Sequence, residues 1–278
     1  MTTRLPRRVN PPARLPTRGT PLGTLLLGTS GWDYPEWEGR VYPKLGAADK
    51  LRYYATLFPV VEVNTTFYRL PAPSVAASWA RRTPPGFRFA AKFPKTITHE
   101  LQLERTKGEL ARFLEVLAPL RAAGKFVAAL LQLPPFLAFE PNRVRAFYAG
   151  LPKDLPVAVE FRERSWLVPA SYALLREFGL ANVIVDGPHL PVAPEVTAPF
   201  AYVRWHGHGR AVWYDYTYTA AELAAWVPRI RALQEETETV YGFFNNHFRG
   251  DAAVNCRTLA EELGVPPPSS RAHRTLDA

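Results

Sequence analysis

The sequence has a single cysteine, Cys256, and a single methionine, Met1. One cysteine excludes an internal disulfide framework and any thiolate zinc cluster, and it fits a reducing cytoplasmic setting. No apolar run approaches the ~20 residues that a membrane helix needs, so no membrane partner is expected. The basic N-terminus lacks the apolar stretch and small-residue cleavage site of a secretory signal. There is no Gly-x-Gly-x-x-Gly phosphate loop. In Gly28-Thr29-Ser30-Gly31-Trp32 a bulky indole stands where a dinucleotide would need close backbone approach, so no nucleotide cofactor is expected. No His-Glu-x-x-His motif is present either.

Charge is abundant but unevenly placed. The formal net charge is +9 over 278 residues. Five of those charges lie on residues 1–22, which hold Arg4, Arg7, Arg8, Arg14 and Arg18, five prolines and no acidic residue. One more lies on residues 265–278, leaving +3 for residues 23–264. Residues 1–22 are expected to be a disordered basic Pro/Arg-rich tail and 265–278 a flexible C-terminal tail, because neither can bury enough apolar surface to offset its ordering entropy. A basic arm of this kind adds affinity for nucleic acid, so that partner class enters as an alternative.

Between the tails, short β-rich runs alternate with helical stretches. The runs are Thr24–Ser30, Val60–Thr66, Phe87–Phe93, Val127–Leu133, Val157–Arg162, Asn182–Asp186, Ala201–His206 and Val240–Asn246. Helical patterns follow each except the sixth, where a Pro-rich connection intervenes. Strict alternation implies parallel strands joined by right-handed crossovers. Eight such units in ~240 residues predict an α/β fold, a single (β/α)8 TIM-like barrel over 23–264 that is irregular around its sixth helix. A doubly wound sheet is the rival, and the missing glycine loop counts against it.

Alternation along each strand sorts side chains into an apolar set facing the helices and a second set facing the barrel interior. On the second strand this sends Glu62, Asn64 and Thr66 inward, and on the third Arg88 and Lys92. Gln132 ends the fourth, Glu160 and Arg162 the fifth, Asp186 the sixth, Arg204 and His206 the seventh and Asn246 the eighth; the first ends at Ser30. Buried unpaired charge is unfavourable, and barrel enzymes place their chemistry at the C-terminal ends of their strands. These residues therefore form a candidate site.

Several collinear stretches resemble the YecE-like family, a domain of unknown function. They are Gly28-Thr29-Ser30-Gly31-Trp32, Glu62-Val63-Asn64-Thr65-Thr66-Phe67-Tyr68, Phe89-Ala90-Ala91-Lys92-Phe93-Pro94, Leu131-Gln132-Leu133-Pro134-Pro135, Glu160-Phe161-Arg162, Tyr202-Val203-Arg204-Trp205-His206-Gly207 and Phe244-Asn245-Asn246-His247. The resemblance runs from about residue 24 to 264. It implies a TIM-barrel fold and no established activity.

For catalysis the residues suggest Glu160 and Asp186 as an acid/base carboxylate pair assisted by His206, with no metal. Lys92, Arg162 and Arg204 would hold negative charge. Asn64, Thr66, Gln132 and Asn246 would orient polar groups, and Trp32 and Tyr68 would stack on a ring. Glu62, lying deeper, would orient Lys92 or Arg204. The preferred reading is a hydrolase- or lyase-like enzyme acting on a small anionic or sugar-like ligand. The alternatives are a nucleic-acid-binding or metal-dependent phosphodiester-processing barrel, and a non-catalytic ligand-binding module. The metal-dependent version would draw on His99, His189, His206, His208 and His247 with Glu160 and Asp186.

Overall fold

The computed structural model describes residues 21–188 and 191–268. Most of both expected tails, together with His189, lies outside the described residues. Eight parallel strands close into a barrel in chain order: β1 (Thr24–Ser30), β2 (Val60–Val63), β3 (Arg88–Lys92), β4 (Phe126–Gln132), β5 (Val157–Glu160), β6 (Ala181–Asp186), β7 (Phe200–Trp205) and β8 (Thr239–Phe244). The outer helices are α1 (Ala47–Leu57), the single turn α2 (Thr65–Tyr68), α3 (Pro73–Arg82), α4 (Lys107–Ala122), α5 (Pro141–Ala149), α6 (Pro169–Phe178), α7 (Ala220–Glu236) and α8 (Asp251–Glu262). Among the described residues none is long and apolar enough to cross a membrane.

Local chemistry sets several of these boundaries. Thr219 and Glu222 form a reciprocal capping box that starts α7. Gly179 ends α6 in the left-handed region, at a φ of 68° that a β-carbon would oppose. Gly28 on β1 lies opposite Val60 on β2, and a β-carbon there would stand 2.0 Å from the Val60 carbonyl oxygen. That approach brings the first two strands, and the residues at their ends, close together.

Two apolar layers result. Val61, Val63, Phe89, Ala91, Val203 and Trp205 pack between the sheet and the helices. Val60, Ala90, Leu130, Ala158, Val183, Tyr202 and Phe243 fill the barrel interior. The interior is thus a solid core through its lower half, as expected for an eight-stranded barrel. The expected alternation holds on β1 to β5 and on β7.

It fails on β6. Val183 and Val185 turn inward, while Ile184 packs against the helical layer. Asn182 and Asp186 therefore face out. The outward rule assumes a helix over the whole outer face, but the described part of the connection from β6 to β7 carries no helix, so that face meets this segment as well as α6 and Trp226 of α7. Polar backbone in that connection needs partners, and Asn182 supplies them. Its backbone N–H donates to Thr197 Oγ1 at 2.7 Å, and its carboxamide donates to the Ala193 carbonyl at 3.0 Å. On β8 the register also differs from expectation. Tyr241 and Phe243 turn inward and Phe244 outward, which sends Asn245, not Asn246, into the mouth.

Candidate functional site

A cavity of about 700 Å3 opens at the C-terminal ends of the strands. Its floor is an ion network. Arg204, at the end of β7 and 1% exposed, donates from Nη2 to Glu62 Oε1 at 2.7 Å and from Nη1 to Glu160 Oε2 at 2.5 Å. Tyr202 donates to Glu62 Oε2 at 2.6 Å and Ser30 to Glu62 Oε1 at 2.6 Å. Arg162, just past β5, pairs through Nε with the other oxygen of Glu160. Both carboxylates are thus fully engaged, which is what their complete burial requires.

His206 lies over this network. Its Nε2 meets Arg162 Nη2 at 3.0 Å and Arg204 Nη1 at 3.3 Å. The same nitrogen lies 3.3 Å from Glu160 Oε1, and burial beside two guanidiniums keeps the ring neutral. Asn245 Nδ2 meets the other ring nitrogen, Nδ1, at 3.0 Å. Burial, followed by the nearby Arg162 charge, pushes the His206 pKa down to about 3. Burial pushes the Glu160 carboxyl up, but Arg162 and Arg204 outweigh it and hold the group well below the usual carboxylate range. Glu160 is therefore a fixed negative charge, unsuited to donating a proton at neutral pH.

Lys92, at the end of β3, lies on the opposite side of the mouth. Its ammonium donates to Gln132 Oε1 at 2.7 Å and stands 3.9 Å above the centroid of the Phe67 ring. Among the described residues it has no carboxylate within 4.0 Å, whereas Lys50 has two, Asp33 and Glu38. Burial, reinforced by the Arg204 charge, lowers the Lys92 pKa to about 7. Beside it the buried Oδ1 of Asn64 has no hydrogen-bond partner. The walls are aromatic. Tyr34, His247 and Tyr214 stack in a row, with centroids 4.5 Å and 5.2 Å apart. Trp213 lies 5.1 Å from the Arg162 guanidinium. Tyr68 stands at the rim, 74% exposed.

The mouth thus brings together Asn64, Tyr68, Lys92, Gln132, Arg162, Arg204 and His206 above Glu160. Four expected residues are elsewhere. Asp186 faces the helices, where Oδ1 bonds His208 Nε2 at 2.7 Å and Oδ2 accepts from Trp226 Nε1 at 2.8 Å. It cannot form a carboxylate pair with Glu160, because the β6 alternation is reversed. Asn246 lies under the β7–α7 loop, donating to the Tyr216 carbonyl at 2.9 Å and to Asn255 Oδ1 at 2.8 Å. Thr66 is buried and donates to the carbonyl of Lys92 at 2.6 Å, fixing the end of β3 from behind. Trp32 packs edge-to-face on Trp79 beside a separate cavity of about 330 Å3.

Sequence reasoning missed Asn245 as a lining residue and named His247 only as a metal candidate; Tyr34, Trp213 and Tyr214 line the mouth with them. A better signal for Asn245 was at hand: Phe243 had to pair with Tyr202 inside the barrel, at a centroid distance of 4.9 Å. The histidines do not converge. His208 pairs with Asp186, His99 meets Thr98 Oγ1 and His247 lies 3.5 Å from Glu36. Among the described residues no three His, Cys, Asp or Glu side chains group as metal ligands would.

A closed parallel barrel with its buried ions and aromatic walls at the C-terminal mouth is a TIM barrel with a ligand-site architecture. The chain belongs to the family described as "Protein of unknown function DUF72", whose model matches residues 26–275. The match passes residue 264 and takes in most of the stretch expected to be a tail. The chain is 28% identical to the UPF0759 protein YunF of Bacillus subtilis, over 91% of this chain and 99% of that protein. It is likewise 28% identical to the UPF0759 protein YecE of Escherichia coli, over 86% and 92%. Its fold is similar to that of a DUF72 family protein from Thermotoga maritima (TM-score 0.80, 31% identity, covering 87% of this chain and 99% of that one). A second DUF72 family protein, from Enterococcus faecalis, is also similar (TM-score 0.77, 26% identity, covering 88% and 99%). These relatives carry no assigned activity in their names.

Proposed function

We propose that the barrel mouth is the active site of an enzyme that takes up a small anionic, hydroxyl-bearing molecule. The observation that carries this reading is Lys92, a cation lining a cavity with no carboxylate beside it among the described residues. The floor contains two carboxylates, Glu62 and Glu160, against three cationic side chains, Arg162, Arg204 and Lys92. An anion entering above Lys92 and Arg162 balances that excess and meets the guanidinium edge that Arg162 does not commit to Glu160 and His206. The unpartnered Asn64 Oδ1 calls for a donor such as a hydroxyl. Tyr68 and the Tyr34–His247–Tyr214 stack offer faces for a ring.

The test is a thermal-shift and calorimetric comparison of inorganic phosphate, sugar phosphates and small carboxylates with the matching neutral sugars. Saturable binding of anions that weakens in Lys92→Gln and Arg162→Gln is the expected result. Equal binding of neutral sugars, or none of either, overturns the reading. A second reading, single-stranded nucleic acid across the mouth, draws on the exposure of Tyr68 and of Phe136, 62% exposed at the same rim. It requires an affinity that falls steeply with salt and loses part of that slope when residues 1–22 are removed.

A further inference from the structure

We infer that Lys92 is a carbonyl-capturing nucleophile: its amine, set in the mouth between Gln132 and the face of Phe67, forms an imine with a small oxo acid whose acidic group is held by Arg162. The inference rests on the proposed anion site and names the substrate class of that site.

The case starts from a division of labour among three cations. Arg204 is committed to Glu62 and Glu160, and Arg162 shares Glu160 while turning Nη2 to His206. A guanidinium stays charged under all working conditions, so Arg162 remains an anion holder whatever the pH. Lys92 is the one cation of the mouth that can give up its proton. Its Nζ has one protein acceptor, Gln132 Oε1, and one aromatic face, and the rest of its surroundings is the cavity. Gln132 is itself held, donating from Nε2 to the Leu133 carbonyl at 2.7 Å, and Thr66 fixes the Lys92 backbone. The amine is thus positioned, not swinging.

The charges around it act in both senses, and burial decides between them. Arg204 on β7 and Arg162 beyond β5 favour the neutral amine; Glu160 on β5 and Glu62 on β2 oppose them, and burial exceeds all four, bringing the pKa to about 7. His99, itself lowered by burial and by the Lys92 charge, adds no negative partner. An amine desolvated beside other cations is a recognised way to activate a lysine for imine chemistry. Lys125 makes the contrast. It too is buried, but its ammonium donates to the Ala80 and Thr83 carbonyls, both at 2.6 Å, and to Thr83 Oγ1 at 3.1 Å. All its donors are taken, as suits a structural cation.

The chemistry balances without an oxidant or reductant. The ammonium first releases one proton to water. The nitrogen lone pair attacks the carbonyl carbon, the C=O π electrons move to oxygen, and the two remaining N–H protons leave with that oxygen as water. A C=N bond replaces the C=O bond. An acidic group next to the carbonyl places the electrophilic carbon near Lys92 while its charge meets Arg162.

Reductive trapping decides the matter. The full chain is incubated with pyruvate and sodium cyanoborohydride, which delivers hydride to the imine carbon. The expected product carries one adduct of the probe's mass less one oxygen atom, and peptide mapping places it on Lys92. Labelling at neutral pH should exceed that of surface lysines by roughly a thousandfold, the ratio of free-amine fractions between a pKa of about 7 and the ordinary lysine value. Inorganic phosphate should compete, acetone should label poorly, and Lys92→Arg should abolish labelling. Pyruvate binding without a Lys92 adduct overturns the inference and leaves the anion site standing. Absence of both binding and adduct removes both readings. Adducts spread over surface lysines, with no preference for Lys92, also overturn it; this outcome is read on the unaltered chain and does not depend on the folding of any variant.

Discussion

Strands β5 and β7 send charge into the barrel, and β6 between them sends it out. Glu160 and Arg204 meet over the interior, while Val183 and Val185 of β6 fill it and Asp186 turns to His208 and Trp226. The three strands end in similar polar residues, so composition does not separate them. What separates them is cover. Helices α6 and α7 follow β5 and β7, whereas the described part of the connection after β6 carries no helix. A strand backed by a helix puts its apolar side outward and frees its inner face for chemistry. A strand backed by irregular backbone must use polar residues outward to satisfy that backbone.

The largest expected effect lies on the inward side. Arg204→Leu leaves Glu62 and Glu160 buried with their main counter-charge removed, and losing one partner of such a network typically costs about 3–5 kcal/mol. Urea denaturation reads this directly. A loss below about 1 kcal/mol would mean that the two carboxylates find other partners or water, and the floor would not be the rigid platform described.

Next in size is a pH effect on the same face. The folded-state Lys92 pKa is lowered to about 7 from an unfolded value near 10.5. Between those values the unfolded chain binds the extra proton, so this group's contribution to stability rises with pH from about 7 to 10. Below 7 both states are protonated and the burial penalty is felt in full. The difference in denaturation free energy between the wild type and Lys92→Met should therefore change across that window and level off below it. Saturating phosphate, which favours the charged form, should flatten the dependence. A flat difference without ligand would place the Lys92 ammonium in water.

Asp186→Asn probes the outward side. It keeps the shape and removes the charge that His208 and Trp226 share, for an expected loss of about 1–2 kcal/mol. Anion affinity at the mouth should not move. A change in affinity comparable to that of Arg162→Gln would show that β6 does communicate with the mouth, and the contrast with β5 and β7 would weaken.

These contrasts also explain what could be read in the sequence. The bounds of β1, α3, α6 and α7 follow from local pattern, because alternation, proline at the first helical turn and Gly179 are local signals. Strand parity on β2, β3, β4, β5 and β7 follows equally, since each has a clear apolar face to lose against a helix. β6 offers valines on one face and Ile184 with two polar residues on the other, and the same rule as on the other strands places the polar set inward, although no helix is expected after β6. Pairing of Glu160 with both arginines was not legible, because Arg204 reaches it from β7, across β6. Nor was the depression of the Lys92 pKa, which arises from depth in the mouth and not from residue type.

The smallest expected effects come from two adjacent asparagines at the end of β8, and they test the comparison most closely. Asn246 donates to the Tyr216 carbonyl and to Asn255, tying the β7–α7 loop to α8. Asn246→Ala should lower stability by about 1 kcal/mol and leave anion binding intact, apart from any slackening of the loop that carries Trp213 and Tyr214. Asn245 lines the mouth and meets His206 Nδ1. Asn245→Ala should change stability by less than about 1 kcal/mol, because the cavity offers water as a substitute partner, yet weaken ligand binding severalfold by freeing the His206 ring. Measuring both properties on both variants gives a crossed pattern if the β8 register is as described. The reverse pattern, with Asn246 controlling affinity and Asn245 controlling stability, would mean that β8 is turned by one residue and that the wall of the mouth has been assigned to the wrong face.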